Sequence, residues 1–246
     1  MSTFSVLQTI THPVFTQHKL NVQIKRDDLI HNIISGNKWR KLKHNILHAK
    51  SIGAKGVITF GGCFSNHIHA CAFACFDHGL PVIGIIRGEE SSQNNYTLAW
   101  AKHWNMQLKF VDRKTYRMRD DETYLKQLQQ QYPDHFIIPE GGSNALALCG
   151  VSEVIEELSQ QSEFDTLMTP VGSGGTLAGL IMGDKCRHNL LGIAVLKQQH
   201  YLEQAVLSLL PNQIKQSSNW RIAHEFHRGG YAKFSQIDAD RIRTFS

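Results

Sequence analysis

The spacing of apolar positions along the chain alternates between a helical repeat and short continuous runs. Trp39, Leu42, Ile46 and Leu47 fall at i, i+3, i+7 and i+8, which predicts a helix with one buried face. Apolar runs typical of buried strands stand at 56–60, 81–86, 106–111, 135–139, 166–171 and 190–196. Helical patterns follow these runs at 68–76, 93–104, 120–131, 151–158, 177–183 and 201–210.

Strands and helices therefore alternate from about residue 55 to 210, a pattern typical of parallel sheets covered by helices. Ligands of such sheets bind beyond the carboxyl ends of strands, in the loops that lead into helices. Three of these loops are rich in small and polar residues, namely 61–66, 141–144 and 172–176. The sequence predicts an α/β fold in which these three loops converge on one site.

Composition narrows the class of protein. With 246 residues, 41% hydrophobic and 19% charged, the chain has the composition of an ordinary globular protein of one large or two small domains. Its net charge of +5 is scattered and gives no argument for nucleic acid. No apolar stretch approaches the length of a membrane span, and the start lacks the pattern of a secretory signal. The five dispersed cysteines favour reduced thiols in a cytoplasm.

The helix at 37–47 begins with bases in its first turns, namely Lys38, Arg40, Lys41 and Lys43. Ser35 or Asn37 is expected to cap it. Cations are disfavoured at this positive end of the helix dipole. The cluster is therefore either a solvated basic face or the setting of an amine that loses its proton and attacks a carbonyl carbon.

The glycines of the 172–176 loop allow backbone N–H groups to turn toward an anion, and Ser173 and Thr176 add hydroxyl groups. The spacing matches neither a Walker loop nor a dinucleotide fingerprint. A phosphate held without a metal is one interpretation, and a glycine-rich turn without a ligand is the other.

Ser65 and Asn66 lie at a strand-to-helix turn, as do Ser143 and Asn144, where they either face a ligand or cap the next helix. His67, His69 and Cys71 diverge around a helix, so no metal site is expected. Three features together imply pyridoxal phosphate: an amine that can lose its proton and attack a carbonyl carbon (a primed amine), a phosphate loop without a metal, and the serine–asparagine loops. The lysine of the basic cluster would be the covalent partner of this cofactor.

Five segments also carry a resemblance to a known family. They are Lys25–Asp28, Ser35–Leu42, Gly61–His67, Pro139–Asn144 and Val171–Thr176. In this order they resemble the 1-aminocyclopropane-1-carboxylate deaminase and D-cysteine desulfhydrase family, within the pyridoxal-phosphate enzymes of fold type II. The resemblance covers roughly residues 20 to 235, and the joint occurrence of the motifs is specific although each alone is weak.

The resemblance implies a tryptophan-synthase-β-like fold of two doubly wound parallel-sheet domains with the cofactor in the cleft between them. The smaller α/β domain is expected at 41–144, and the larger, cofactor-holding domain at 1–40 plus 145–246.

The resemblance also implies roles for individual residues. The cofactor is expected to bind Lys38, Asn66 and the phosphate loop Gly172, Ser173, Gly174, Gly175 and Thr176. Lys38 and Ser65 are the implied catalytic residues. The substrate side is implied to consist of Ser65, Asn66, His67, Ser143 and Asn144.

Two departures from the family pattern bear on the substrate. Phe64 and His69 stand where many members have glutamine and arginine, so the contacts to a substrate carboxylate are expected to differ. Family members continue for several tens of residues beyond the segment that 229–234 resembles. Residues 238–246 of this chain do not match that continuation. We therefore expect a larger domain that lacks its usual C-terminal part.

The expected activity is a D-cysteine desulfhydrase-like conversion of a small amino acid, giving pyruvate, ammonia and sulfide. The alternatives are 1-aminocyclopropane-1-carboxylate deaminase, a catalytically impaired truncated member, and a phosphate-binding module that does not use Lys38. A cytoplasmic homodimer is expected, with no nucleic-acid or membrane partner.

Overall fold

The structure is a computed structural model, which describes residues 4–197, 200–216, 218–230 and 233–245. The chain divides into two compact units. The central unit is His31–Val151, and the flanking unit combines Met1–Ile30 with Ser152–Ser246. The domain boundaries expected from the resemblance, at 40 and 144, remain a prediction. Tyr231 and Ala232 of the 229–234 motif lie outside the described residues.

The order of elements confirms the predicted alternation. The described strands are β1 (Val6–Ile10), β2 (Val22–Arg26), β3 (Gly56–Gly62), β4 (Val82–Arg87), β5 (Gln107–Val111), β6 (His135–Ile138), β7 (Thr166–Val171), β8 (Asn189–Ala194) and β9 (Trp220–Ala223). The described α-helices are α1 (Pro13–Gln17), α2 (Asn37–Ser51), α3 (Asn66–Asp77), α4 (Tyr96–His103), α5 (Arg113–Arg117), α6 (Glu122–Gln131), α7 (Ala145–Gln161), α8 (Gly175–Asp184), α9 (Tyr201–Leu209) and α10 (Gln236–Phe245).

The central unit contains a parallel four-stranded sheet in the order β5-β4-β3-β6. Its strands are short and almost continuously apolar because helices cover both faces. One face packs on α2, α3 and α4 through a core that includes Leu42, Ile46, Val57 and Ile68. The other face packs Ile58 and Phe60 against the α5 and α6 layer. Alternate residues of β3 therefore point into different cores.

The flanking unit contains a parallel sheet in the order β7-β8-β9 and an antiparallel pair of β1 with β2. An ion pair of 2.8 Å joins Lys25 Nζ on β2 to Glu157 Oε2 on α7, and both side chains are nearly buried. The parallel pairing in the larger sheet of each unit confirms the predicted α/β class.

The start of α2 differs from the prediction. The N-cap is Gly36 at φ +64°, and no side chain caps the helix, whereas Ser35 or Asn37 was expected to do so. Asn37 is already the first helical residue, and glycine reaches the conformation of this N-cap without steric cost. No acidic residue occupies the first turn either, so the helix start keeps its positive character.

The described part of the chain has neither a candidate membrane span nor a candidate metal cluster. No helix there is long and apolar enough to cross a membrane. The same residues contain no group of three or more His, Cys, Asp or Glu side chains arranged to hold a metal ion.

Candidate functional site

The topology of the central sheet identifies a place for a ligand. From β3 the chain builds outward to β4 and β5, and then returns to β6 on the other side of β3. This reversal of strand order is a topological switch point, beside which α/β sheets bind ligands. The loops that leave β3 and β6 are the glycine loops 61–66 and 139–144 singled out in the sequence. The structure therefore brings these two predicted loops together at one edge of the sheet.

Lys38 lies in the uncapped first turn of α2, and its side chain is largely buried. Its Nζ donates to Asn37 Oδ1 over 3.1 Å. Burial lowers the pKa of Lys38 to about 8. Near pH 7 about a tenth of the side chain is therefore neutral, the form that attacks carbonyl carbons. Of the two readings of the basic cluster, the solvated basic face and the primed amine, this burial supports the second.

Lys41 follows one turn later and is only 1% exposed. Its Nζ donates to Ser143 Oγ over 3.1 Å and to the Gly141 carbonyl over 3.4 Å. Burial lowers the pKa of Lys41 well below its ordinary value, and the charge of Lys38 lowers it further. Lys41 thus joins α2 to the 139–144 loop, a role that the sequence did not reveal because the partners stand 102 residues apart.

Ser65 is the N-cap of α3, and its Oγ accepts a hydrogen bond of 3.3 Å from Ile68 N. A Cβ added at Gly61 would lie 2.9 Å from this Oγ and 2.4 Å from Ile68 Cγ1, so the turn requires glycine there. Asn66 begins the helix and is exposed. The capping alternative for Ser65 is thus realised, and its predicted catalytic role remains a prediction.

His67 points into the core of the central unit and is 2% exposed. Its Nε2 lies 2.7 Å from Thr59 Oγ1, and Thr59 in turn donates to the Ile138 carbonyl over 2.9 Å. Because the Thr59 hydroxyl donates its only proton to that carbonyl, His67 Nε2 must be the donor in its hydrogen bond with Thr59 Oγ1. Burial lowers the pKa of His67 well below its ordinary value, with contributions from the charges of Lys38 and Lys41. The side chain of His67 is thus buried and hydrogen-bonded to Thr59. The predicted contact between His67 and a substrate remains a prediction.

The 139–144 loop is fixed by contacts with α2. Asn144 and Asn45 exchange two amide hydrogen bonds, of 2.7 and 3.2 Å. Asn144 Oδ1 also accepts from Ala147 N over 3.0 Å at the start of α7. Gly142 has φ +69°, and a Cβ there would lie 3.2 Å from the ring of His67. Asn144 therefore has a structural role, while Ser143 receives the hydrogen bond from Lys41.

In the flanking unit the 172–176 loop leads from β7 into α8. Its Gly174 lies in the left-handed region at φ +78° and is the N-cap of α8, with no side-chain cap. A Cβ there would lie 3.1 Å from Val206 N and 3.2 Å from Val206 Cγ2. A helix start without a side-chain cap leaves backbone N–H groups for an anion. The loop thus packs closely on α9 and has the form of a small anion cradle.

An ion pair in the flanking unit was not predicted. His224 Nε2, just after β9, lies 2.6 Å from Glu203 Oε1 in the first turn of α9. Burial raises the pKa of Glu203, but the hydrogen bond from His224, a backbone hydrogen bond and the charges of His224 and His200 together outweigh burial, so the net pKa is lowered. No spacing rule connects residues 21 positions apart in different elements, so the sequence carried no signal for this pair.

These features define a class of protein. A largely buried lysine with a lowered pKa, and a glycine loop at a helix start without a side-chain cap, are groups whose chemistry suits the aldehyde and the phosphate of pyridoxal phosphate. The residues present therefore fit that group.

The chain belongs to the pyridoxal-phosphate dependent enzyme family, which matches residues 8–196. It is 37% identical over 167 residues to a Pyrococcus horikoshii protein named "Putative 1-aminocyclopropane-1-carboxylate deaminase", covering 66% of this chain and 51% of that protein. It is 30% identical over 211 residues to D-cysteine desulfhydrase from Klebsiella pneumoniae, covering 78% and 64%. The chain thus spans about half to two thirds of the length of these relatives.

Solved structures agree with this family. The crystal structure of an ACC deaminase homologue matches with a TM-score of 0.81 and 28% identity, covering 98% of this chain and 76% of the other. Serine racemase from Dictyostelium discoideum matches with a TM-score of 0.63 and 20% identity, covering 78% and 60%, which indicates a shared fold. The fold class, the family and the pyridoxal phosphate cofactor predicted from the sequence are confirmed.

Proposed function

We propose that the chain acts as a pyridoxal-phosphate dependent lyase and deaminase on a small amino acid, in the manner of D-cysteine desulfhydrase. The observation that carries this proposal is Lys38, a largely buried amine with a pKa of about 8 at a helix start without a capping side chain. A solvated lysine would be almost fully charged at neutral pH, whereas Lys38 supplies both a nucleophile and a base.

The cofactor, when bound, withdraws electrons from the α-carbon of the amino acid. Lys38 is proposed to be its covalent partner, Asn66 to contact its ring, and the cradle Gly172–Thr176 to hold its phosphate. Ser65, Asn66, His67, Ser143 and Asn144 are proposed to form the substrate side. A cytoplasmic homodimer is the proposed assembly.

In the proposed reaction, neutral Lys38 removes the α-proton of D-cysteine, and sulfide leaves from the β-carbon. Addition of water then gives pyruvate and ammonia, so that D-cysteine and water become pyruvate, ammonia and hydrogen sulfide. The lowered pKa of Lys38 keeps part of the amine ready for this proton transfer at neutral pH. Exposed lysines of the same helix, such as Lys50, lack this burial.

A second candidate is 1-aminocyclopropane-1-carboxylate deaminase, favoured by the Pyrococcus horikoshii relative. That substrate has no α-hydrogen, so its ring must open at a ring carbon, with Ser65 as the nearby candidate. Its products are 2-oxobutanoate and ammonia. The D-cysteine reaction is favoured here because a primed amine base is sufficient to start it.

The test is product analysis with purified protein and pyridoxal phosphate. D-Cysteine should give pyruvate and sulfide in equal amounts, and Lys38→Ala should lower the rate by about 10²–10⁴-fold because the base is removed. Lys50→Ala, which removes an exposed lysine from the same helix, should leave the rate unchanged. 2-Oxobutanoate from the cyclopropane substrate, without pyruvate from D-cysteine, would favour the second candidate, and neither product would refute both.

A further inference from the structure

Glu140, at the start of the 139–144 loop, has both of its carboxylate oxygens engaged by α5 and the residues just after it. Tyr116 OH donates to Glu140 Oε1 over 2.7 Å. Arg119 Nε lies 2.6 Å from Glu140 Oε2 and forms an ion pair with it. Tyr116 is only 3% exposed. We call Tyr116, Arg119 and Glu140 the loop clamp.

Two guanidinium groups hold the tyrosine of the loop clamp. Arg87, the last residue of β4, lies 5.4 Å from the centroid of the Tyr116 ring, and Arg119 lies 5.2 Å from it. Both distances are within the range of a cation–π contact. Burial raises the pKa of Tyr116, and the charge of Glu140 raises it further, so the hydroxyl stays a donor at physiological pH.

The loop contains one short 3-10 turn, Glu140–Gly142, which includes two glycines. Gly141 and Gly142 both have φ +69°, where the absence of a side chain leaves the backbone loosely restrained. One turn hydrogen bond, from Gly142 N to the Pro139 carbonyl, spans it over 2.9 Å. The path of the loop therefore depends on the groups that hold its two ends.

These two ends are held from opposite faces of the central sheet. Tyr116 packs with Ile58 and Phe60 in the core beneath α5 and α6. Lys41, which donates to Gly141 and Ser143, comes from α2 on the other face. The loop clamp thus fixes the β6 end of the loop, and Lys41 fixes the end that carries Ser143.

The contacts of the loop clamp favour a role in positioning the 139–144 loop over a role in stabilising the fold. Partly exposed ion pairs such as Arg119–Glu140, whose side chains are 20% and 35% exposed, contribute little to stability, so the main effect of this pair is on geometry. We propose that Tyr116 and Arg119 are positioning residues that hold Glu140 and through it set the place of Ser143 for an amino-acid substrate. This inference rests on the proposed function, because Ser143 is assigned there to the substrate side.

The kinetic test uses Tyr116→Phe, which keeps the ring and removes the hydroxyl, and Glu140→Gln, which keeps the size and removes the charge. Both should retain the visible absorbance of bound pyridoxal phosphate. The KM for D-cysteine should rise about 5–20-fold while kcat changes by less than about threefold. This is the size of effect expected when one contact that positions the substrate is lost. Tyr124→Phe, on the neighbouring α6, is the matched control and should leave both constants unchanged.

A double-mutant cycle separates positioning from a general structural defect. If the tyrosine acts through Ser143, Tyr116→Phe should change KM by less than about twofold in a Ser143→Ala background. An unchanged KM in both single variants, or an effect of full size in the Ser143→Ala background, would overturn the proposal.

Hydrogen exchange gives a readout that needs no turnover. Peptides covering 139–144 should exchange faster in Tyr116→Phe and Glu140→Gln than in the parent, while peptides covering 166–171 stay unchanged. If the parent protein converts neither D-cysteine nor the cyclopropane substrate, the proposed function fails and this exchange still decides whether the loop clamp orders the loop. Parent-like exchange in both variants would refute the clamp itself.

Discussion

Lys38 and Lys41 stand one turn apart at the start of α2, and the structure gives them different surroundings. Lys38 has a nearby amide oxygen, whereas Lys41 is enclosed and donates to the 139–144 loop. Burial lowers the pKa of both lysines, and the charge of Lys38 lowers that of Lys41 further. The cost of burying the Lys38 ammonium group is the physical basis of the reactivity proposed for Lys38.

That cost predicts how stability depends on pH in the protein without cofactor. The folded-state pKa of Lys38 is about 8, below the ordinary 10.5, so between these values the unfolded chain binds more protons. Lys38 should therefore make the free energy of unfolding rise as the pH increases from about 8 to about 10.5, while its own contribution stays nearly level below 8. Lys38→Met should be more stable than the parent by about 2–3 kcal/mol at pH 8, with the difference vanishing near pH 10.5.

Urea unfolding at several pH values measures this difference, and Lys50→Met provides the exposed control. A constant difference between parent and Lys38→Met from pH 8 to 10.5 would mean that burial does not perturb the Lys38 amine.

At the scale of elements, the glycine cradle before α8 is the second part of the account. Gly174 combines a left-handed backbone with close contacts to α9, because a Cβ there would meet Val206 N at 3.1 Å. Gly53, at the end of α2, has a similar φ of +66° but open space around a Cβ. The two positions share the conformational cost of a side chain and differ in crowding.

Gly174→Ala should therefore lower the free energy of unfolding by about 1–3 kcal/mol, and Gly53→Ala by about 1 kcal/mol or less. Gly174→Ala should also weaken binding of pyridoxal phosphate about tenfold or more, because the added methyl displaces the N–H groups of the cradle. Equilibrium unfolding and titration with the cofactor measure both effects. Equal cofactor affinity in the two variants would show that the loop is a turn without a ligand.

The long periodic elements and the glycine loops could be predicted from the sequence, since each has a local signal. The exceptions are short or lack a pattern. Strand β1 alternates poorly because much of it is exposed, and β9 buries Ala223 alone among its four residues. Helix α5 has five residues and depends on its Asp112 cap, and α10 was not anticipated in 238–246. Such segments are too short or too exposed to show a repeat of apolar positions in the sequence.

The same distinction applies to the candidate site. Lys38, Ser65 and the 172–176 loop could be proposed from the sequence because helix starts and glycine turns are visible in a few consecutive residues. The pairs Lys41–Ser143, Tyr116–Glu140 and Glu203–His224 were not, because their members are 102, 24 and 21 residues apart. Long-range pairs of polar side chains require the topology of the sheet before they can be recognised.

At the scale of the whole molecule, each of the two units has its own parallel sheet. Lys38 and Asn66 belong to the central unit, and Gly172–Thr176 belong to the flanking unit. The central claim is that Lys38 is the covalent partner of pyridoxal phosphate, and every other assignment depends on it.

Borohydride reduction of the protein with pyridoxal phosphate, followed by mass spectrometry of its peptides, tests this claim most directly. Reduction fixes the cofactor on the amine that holds it. The account predicts one labelled site, at Lys38, with the label lost in Lys38→Ala and retained in Lys50→Ala. A label on Lys41 or on exposed lysines at random, or no label at all, would contradict it.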